Sequence, residues 1–181
     1  MSRGPVTYRR IHPDELFRVG EIDRTERIDT IVVQRGAELD AVAGDFSAPP
    51  WHPEGEGGHS VGHQIEECER YLAAGGTAIG AFAEGRLVGI GIVVPHVRDG
   101  IAQLAFLHVS DGYRGRGIGG CLSGRLEQLA RDLGDTVMVV SATPSANTVG
   151  FYRGRGFEPT ADPLPELYEL EPEDVHLDKR L

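Results

Sequence analysis

The chain has 181 residues, enough for one domain with its own hydrophobic core. A formal net charge of −10 argues against a nucleic-acid partner, which would require a basic surface. No apolar run approaches the roughly 20 residues that span a bilayer, and residues 1–5 lack the apolar segment of a secretory signal. The sequence therefore predicts a cytoplasmic protein with neither nucleic acid nor a membrane as partner. Cys68 and Cys121 lack zinc-type spacing, so no metal site is predicted.

Up to residue 76 the pattern predicts short elements around a long loop. In chain order these are a strand over 6–11, a helix from Pro13 through Val19, a strand at 31–33, a short element at 38–42, a loop over 47–62 and a helix over 63–74. The loop contains Trp51 and His52 among prolines and glycines, and it is long for a plain connection. Such loops are often lids or binding loops, although a loop without function is equally consistent with the sequence.

From Thr77 onward the signals are clearer. Strands are predicted over 77–83, 86–94 and 101–109, with turns at 84–85 and 95–100. An amphipathic helix follows, with apolar residues at helical spacing from Ile118 to Leu133 and an end at Gly134. A strand over 137–141, a helix over 144–152 and closing strands over 157–160 and 175–181 complete the chain. This order predicts the α/β class, with a mixed (α+β) sheet: an antiparallel N-terminal meander, a strand–helix–strand crossover and helices on both faces.

A glycine-rich turn, Arg114-Gly115-Arg116-Gly117-Ile118-Gly119, joins the third meander strand to the helix. Glycines let the backbone approach a ligand closely, and the unpaired N–H groups and dipole of the following helix favour an anion. A P-loop is excluded because the turn has no lysine. The dinucleotide fingerprint is matched by Gly115, Gly117 and Gly120, but that motif opens a parallel sheet and needs an acid about 20 residues further on. A pyrophosphate site is therefore favoured, and a nicotinamide-binding domain is disfavoured.

The segment 101–157 resembles the GNAT superfamily of CoA-dependent N-acetyltransferases. The signature, Arg/Gln-x-x-Gly-x-Gly/Ala, is met by Arg114, Gly117 and Gly119, with Leu107-His108-Val109-Ser110 before it and Asn147-x-x-x-Phe151-Tyr152-x-x-x-Gly156-Phe157 after it. The resemblance implies a GNAT-like fold and a single N-acetyltransferase domain over 1–181, with the acceptor side in about 1–75 and the acetyl-CoA-binding core in about 77–160. It also implies acetyl transfer from acetyl-CoA to a primary amine by direct attack in a ternary complex. The acceptor would be a small molecule or a peptide.

The same resemblance implies roles for individual residues. The strand before the turn would carry a bulge and diverge from the next strand, and pantetheine would lie between them against the backbone of Leu107, His108 and Val109. One backbone N–H there would stabilise the oxyanion. The pyrophosphate would contact Arg114, Gly115, Arg116, Gly117, Ile118 and Gly119, with charge-assisted bonds from the two arginines. Asn147 would contact the cofactor arm. Tyr152 would protonate the departing sulfur, since a phenol stays protonated at neutral pH, and core packing is the alternative for this side chain.

The general base is not determined by the sequence. Relatives that use a strand glutamate have it eleven residues ahead of the signature, where this chain has Gln103. His108 is a candidate substitute, and a carboxylate acting through water is equally consistent. Glu21, Asp23 and Glu26 form an acidic cluster, for which we favour a solvated surface paired with the neighbouring arginines. Loss of the strand glutamate leaves a CoA-binding sensor or regulatory domain as the alternative function. The oligomeric state, a homodimer included, stays open.

Overall fold

The computed structural model describes residues 4–181, which form nine strands, four α-helices and two 3₁₀ helices. The strands are β1 Val6–Arg10, β2 Glu26–Arg35, β3 Glu38–Ala48, β4 Thr77–Ala83, β5 Arg86–Arg98, β6 Ile101–Val109, β7 Val137–Ala142, β8 Glu158–Pro159 and β9 Val175–Arg180. The helices are α1 Val61–Ala73, α2 Ile118–Asp132, α3 Ala146–Arg153 and α4 Pro165–Leu170, with 3₁₀ helices at Pro13–Glu21 and Asp111–Tyr113. Within residues 4–181, no helix is long and apolar enough to cross a membrane.

Seven strands form one sheet in the order β1-β4-β5-β6-β7-β9-β8, and β2 and β3 form a separate hairpin. Only the β6–β7 pair is parallel; the other pairs in the described chain are antiparallel. Strands β4, β5 and β6 are the predicted meander, and β6, α2 and β7 are the predicted crossover. The mixed sheet therefore confirms the predicted fold class.

Helices cover both faces of the sheet. On one face α2 buries its apolar stripe, which includes Ile118, Leu122 and Leu126, against the central strands. Gly91 of β5 allows this close approach, because a Cβ there would lie 2.7 Å from Leu126 Cδ1. On the other face α1 and the first 3₁₀ helix bury a second cluster that contains Leu16, among others. The predicted arrangement of helices on both faces is confirmed.

The parallel pair β6–β7 separates soon after it begins. Pairing covers Ile101–Gln103 of β6 against Val137–Val139 of β7. A bulge follows at Ala105, since Phe106 pairs with Ile92 while Leu104 pairs with Val93. Within residues 4–181, no strand pairs with this edge of β6 beyond Gln103. The two strands therefore carry the bulge and the divergence that the resemblance implied, and a cleft opens between their carboxyl-terminal ends.

The structure differs from the predicted elements at several boundaries. Strand β5 continues to Arg98, so the predicted turn over 95–100 is wrong and shrinks to two residues. The strand accommodates Pro95 through an irregularity between Val94 and Arg98, where His96 has a φ of 53°. The first helix is 3₁₀, β8 has only two residues, and α4 was not predicted. The first 3₁₀ helix buries Leu16 and Val19, whereas α4 buries no residue and begins at Pro165, a position that proline favours.

Candidate active site

The glycine-rich turn presents a row of free backbone donors. Gly115 and Gly117 have φ angles of 71° and 79°, which glycine adopts without strain, and Gly117 is the N-cap of α2. Among the described residues, none accepts a hydrogen bond from the N–H groups of Gly117 through Gly120. These donors lie at the positive end of the α2 dipole. The turn therefore has the donors and the charge that a pyrophosphate requires.

The other side of the turn faces α3. A Cβ at Gly119 would lie 3.3 Å from Phe151 Cε2, so a larger residue would crowd the contact between α2 and α3. Of the sequence-predicted residues, Leu107, His108 and Val109 lie on the unpaired edge of β6 that leads into the turn. The predicted pantetheine and pyrophosphate contacts thus form one continuous stretch of backbone. The edge of β6 and the glycine-rich turn together fit CoA, which is elongated and negatively charged.

The two arginines of the turn have different surroundings. The Arg114 guanidinium donates to the carbonyl oxygens of Val109, Thr25 and Arg24, at 3.0, 2.6 and 3.1 Å. Arg116 instead lies over the Tyr113 ring, 5.3 Å from its centroid. Arg114 therefore joins the chain at residues 24–25 to the end of β6, whereas Arg116 keeps its hydrogen-bond donors available to a phosphate.

A cavity of about 480 Å³ lies between the diverging ends of β6 and β7. Tyr152 of α3 is one of its lining residues and is only 5% exposed. The ring packs edge-on against Phe151 and Phe157, and the hydroxyl has no hydrogen-bond partner in residues 4–181. Burial raises the pKa of Tyr152 well above its ordinary value, and the Asp174 carboxylate adds to this rise. The phenol therefore remains protonated at neutral pH.

His108 also lines this cavity, within an aromatic cluster. The centroid of its ring lies 4.9 Å from that of Trp51 and 4.6 Å from that of Phe106. The pKa of His108 is lowered to about 4, mainly by burial and also by the charges of Arg24 and Arg114. His108 is thus neutral at physiological pH, and its low proton affinity makes it a poor general base for an alkylamine.

In the loop after β3, Trp51 and Ser60 are buried, whereas residues 52–59 are exposed. Trp51 is 5% exposed and stacks on Phe106 with a centroid distance of 6.4 Å. Arg24 lies over the Trp51 ring at 5.8 Å and donates to Pro49 O and toward His59 Nδ1. Burial lowers the pKa of Arg24. Trp51 therefore forms part of the cavity wall, with an arginine of the chain already over its ring.

The predicted acidic cluster near the N-terminus has different partners from those expected. Glu21 pairs with Arg18, Asp23 accepts from Thr25, and Glu26 accepts from Ser145 and Asn147. The predicted pairing with Arg24 and Arg27 is wrong. The Arg24 guanidinium donates to Pro49 O, and the Arg27 guanidinium pairs with Asp29. Glu26 alone of the three lines the cavity.

Asn147 and Gln103 lie outside the lining of the cavity. The exposed Asn147 amide donates to Glu26 Oε1 at 3.2 Å, which connects α3 to β2. Gln103 lies in the part of β6 that is still paired with β7, opposite Val139. The position of the strand glutamate in some relatives therefore lies just outside the cavity lining, which begins at the next residue, Leu104.

Sequence reasoning missed the carboxylates that meet in the cavity. Glu67 of α1, Glu171 after α4 and Asp174 before β9 all line it, as does Glu26. Burial raises the pKa of Asp174 to about 7, and the neighbouring Glu171 contributes to the rise. Glu171 and Asp174 come from a glutamate-rich segment with no local motif, so nothing in the sequence distinguished them. Among residues 4–181, no group of three or more His, Cys, Asp or Glu side chains is arranged to hold a metal ion.

Comparison with known proteins identifies the family. The sequence model of the acetyltransferase (GNAT) family matches residues 46–157, which is more than half of the chain. The chain belongs to the acetyltransferase (GNAT) family. It is therefore an acyltransferase, as the glycine-rich turn and its flanking segments predicted. A search of curated protein sequences found no match.

Solved structures share the GNAT fold over most of the chain. Nourseothricin acetyltransferase matches with a TM-score of 0.72 and 18% identity, over 98% of this chain and 99% of its own. The PaiA N-acetyltransferase from Thermoplasma acidophilum, in complex with coenzyme A, matches with a TM-score of 0.62 and 16% identity, over 98% and 100%. A GNAT family acetyltransferase from Elizabethkingia anophelis with acetyl-CoA bound matches with a TM-score of 0.53 and 19% identity, over 64% and 82%. At these identities the likeness shows the fold.

Proposed function

We propose that this GNAT protein transfers an acetyl group from acetyl-CoA to a primary amine of a small molecule, by direct attack in a ternary complex. The observation that carries this proposal is the Tyr152 phenol, which lines the cavity between β6 and β7 and whose hydroxyl has no hydrogen-bond partner within residues 4–181. A hydroxyl that faces a cavity in this way is available to donate a hydrogen bond to a ligand atom.

The donor would be held by backbone groups of this chain. The N–H groups of Gly115 through Gly119 and the Arg116 side chain would bind the pyrophosphate, and the edge of β6 at Leu107–Val109 would bind pantetheine. When bound, acetyl-CoA supplies an acetyl group activated as a thioester. Neighbours in complex with coenzyme A and with acetyl-CoA support this choice of donor.

Asp174 and Tyr152 each carry out one of the two proton transfers in the proposed reaction. A protonated alkylamine must lose a proton before it attacks, and Asp174, with its pKa of about 7, accepts that proton directly or through water. Tyr152 then donates from Oη to the sulfur as the carbon–sulfur bond breaks. A phenol with a raised pKa is a weak acid, but protonation of Asp174 removes the charge that contributes to the rise. Proton transfer to Asp174 therefore favours proton donation by Tyr152.

The size of the cavity favours a small-molecule acceptor. About 480 Å³ is within the usual range of small-molecule sites, and the walls come from α1, β6 and the chain after α4. One structural neighbour is named for nourseothricin, a small molecule, which supports the same class of acceptor. The cytoplasmic location remains a prediction of the sequence, and the oligomeric state, a homodimer included, remains open.

Release of the CoA thiol across a panel of primary amines tests the proposal. The wild-type chain should release thiol only when both acetyl-CoA and an amine are present. Tyr152→Phe should slow release by about 100-fold and leave acetyl-CoA binding, measured by calorimetry, nearly unchanged. Tyr168→Phe, at an exposed tyrosine outside this cavity, is the matched control. Tight acetyl-CoA binding without thiol release for any amine would instead support the sensor function.

A further inference from the structure

Three basic side chains share one buried carboxylate where α2, β9 and the end of α3 meet. Glu127 of α2 is only 4% exposed and pairs with Lys179 at 2.7 Å, with Arg131 at 3.6 Å and with Arg155 at 4.0 Å. Within residues 4–181, none of these three cations forms an ion pair with another carboxylate. The cluster therefore carries an excess of positive charge, although the whole chain has a formal net charge of −10.

Arg155 is the cation of this cluster that the carboxylate leaves without a hydrogen bond. Glu127 accepts from Ser123 Oγ at 3.0 Å and from Lys179 Nζ at 2.7 Å. The Arg155 guanidinium donates to no residue in the range 4–181, and its Nε is buried without a partner. The side chain is nevertheless 29% exposed, so that solvent reaches it beyond Nε. A guanidinium has five N–H donors, and those of Nη1 and Nη2 are available to a ligand.

The guanidinium lies along α2 and points toward the glycine-rich turn. Its Nε is the nitrogen paired with Glu127, while a Cβ at Gly124 would lie 3.6 Å from Nη2 and a Cβ at Gly120 only 2.8 Å from Nη1. Residues 120, 124 and 127 are neighbours on one face of the helix, one turn apart. Nη1 is therefore the guanidinium nitrogen closest to the start of α2. Gly120 and Gly124 leave a groove that admits the side chain as far as the turn.

This position fits the part of CoA that the turn and β6 do not contact. CoA carries a second phosphate group, on the ribose 3′ oxygen, a few bonds from the pyrophosphate and on the opposite side from pantetheine. Phe151 lies between the turn and Arg155, since it contacts Gly119 and its ring centroid is 5.9 Å from Arg155 Cζ. A pyrophosphate at the turn therefore has a free guanidinium beside it, on the side of α2 that faces α3.

From this geometry we infer that Arg155 binds the 3′-phosphate of CoA and that the chain binds CoA in preference to 3′-dephospho-CoA. The inference rests on the proposed function, since it concerns the donor of the same reaction. Charge-assisted hydrogen bonds from a guanidinium to a phosphate are stronger than bonds between neutral groups. Glu127 holds the guanidinium at Nε, and Lys179 compensates the charge of that carboxylate. The positive charge of Arg155 thus remains available to the phosphate.

Calorimetric titration with CoA and with 3′-dephospho-CoA, which differ by this one phosphate, tests the inference. The wild-type chain should bind CoA about tenfold more tightly, as expected for one charge-assisted contact at a partly exposed site. Arg155→Met should abolish the difference by weakening CoA binding alone. Gly120→Ala keeps the charge, but its Cβ would displace Nη1, so this variant should also reduce the difference. Its result decides the test if thermal unfolding shows that Arg155→Met does not fold.

Arg131→Met is the matched control, because it removes one positive charge from the same cluster at the opposite end of α2. This variant should keep the preference for CoA. Equal affinities of the wild type for the two ligands, or a preference that survives Arg155→Met, would overturn the inference and leave the proposed function intact.

Two further outcomes separate the possible sources of the phosphate and the two proposals. Titration with inorganic phosphate is the additional arm. Binding that Arg155→Met abolishes, together with equal affinities for CoA and 3′-dephospho-CoA, would assign the site to a free anion and overturn the inference. An Arg155-dependent preference for CoA in a chain that acetylates no amine would support the inference and refute the proposed function.

Discussion

The carboxylate of Asp174 raises the pKa of the buried Tyr152 phenol, and both side chains line the cavity between β6 and β7. The residues belong to different elements: Tyr152 is in α3, and Asp174 immediately precedes β9. Burial shifts both groups toward their neutral forms, which leaves the phenol protonated and the carboxyl able to titrate near neutrality. The proposed acid and the proposed base thus line the same cavity.

The first prediction concerns the pH dependence of Asp174. If Asp174 accepts the amine proton, the rate should fall as pH drops below about 7, where the carboxyl becomes protonated. Asp174→Asn should lower kcat by about 100-fold or more and remove this acidic limb of the profile. The measurement is kcat against pH for thiol release with one amine. An unchanged midpoint in the variant would exclude Asp174 as the base.

Two further measurements keep this result specific. His108→Phe, which preserves the aromatic packing, should retain the midpoint near 7, because the pKa of His108 is about 4. Asp174 also affects the pH dependence of stability. Because its pKa is higher in the folded chain than in the unfolded chain, ionisation of Asp174 lowers the free energy of unfolding as pH rises from about 4 to about 7. Asp174→Asn should therefore be at least as stable as the wild type above pH 7 in thermal unfolding. A lower melting temperature there would point to misfolding.

The second prediction concerns the free N–H groups of the turn. Gly117→Ala forces a left-handed φ of 79° on a residue with a Cβ, which should lower the free energy of unfolding by about 1 kcal/mol. The strain should also change the direction of the backbone N–H groups at the start of α2. Acetyl-CoA binding should weaken by about tenfold in calorimetry. Gly134→Ala at the other end of α2 has a comparable φ of 97° and open space around its Cβ. That control should lose similar stability and bind acetyl-CoA normally. Equal binding by both variants would argue against a phosphate site.

The third prediction separates the two arginines of the turn. Arg114→Met deletes hydrogen bonds to three carbonyl oxygens, so it should lower the free energy of unfolding by about 1–3 kcal/mol. Arg116→Met should leave stability nearly unchanged, weaken acetyl-CoA binding and reduce its dependence on salt. The checks are thermal unfolding and calorimetry at two ionic strengths. If Arg114→Met weakened binding and Arg116→Met lowered stability, Arg114 would be the residue that binds the phosphate.

The parts of the fold with strong local signals were predicted from sequence. The bounds of β6 and the start of α2 match the prediction, because an apolar strand, a glycine turn and a repeating apolar stripe are all read within a few residues. The first 3₁₀ helix, α4 and the course of β5 past Pro95 were not predicted correctly. The first 3₁₀ helix covers the second hydrophobic cluster with Leu16 and Val19, a contact that local sequence does not describe, whereas α4 buries no residue.

The sequence by itself determined the glycine-rich turn and its position before α2. The glycines and the helix that follows them specify an anion site through backbone geometry alone, which adjacent residues control. Only the tertiary structure decided which carboxylates line the cavity, because Glu67, Glu171 and Asp174 are far apart in sequence and meet there through the order of the strands in the sheet. The raised pKa values of Glu171 and Asp174 depend on the folded structure, since this burial and this neighbouring charge have no counterpart in the unfolded chain.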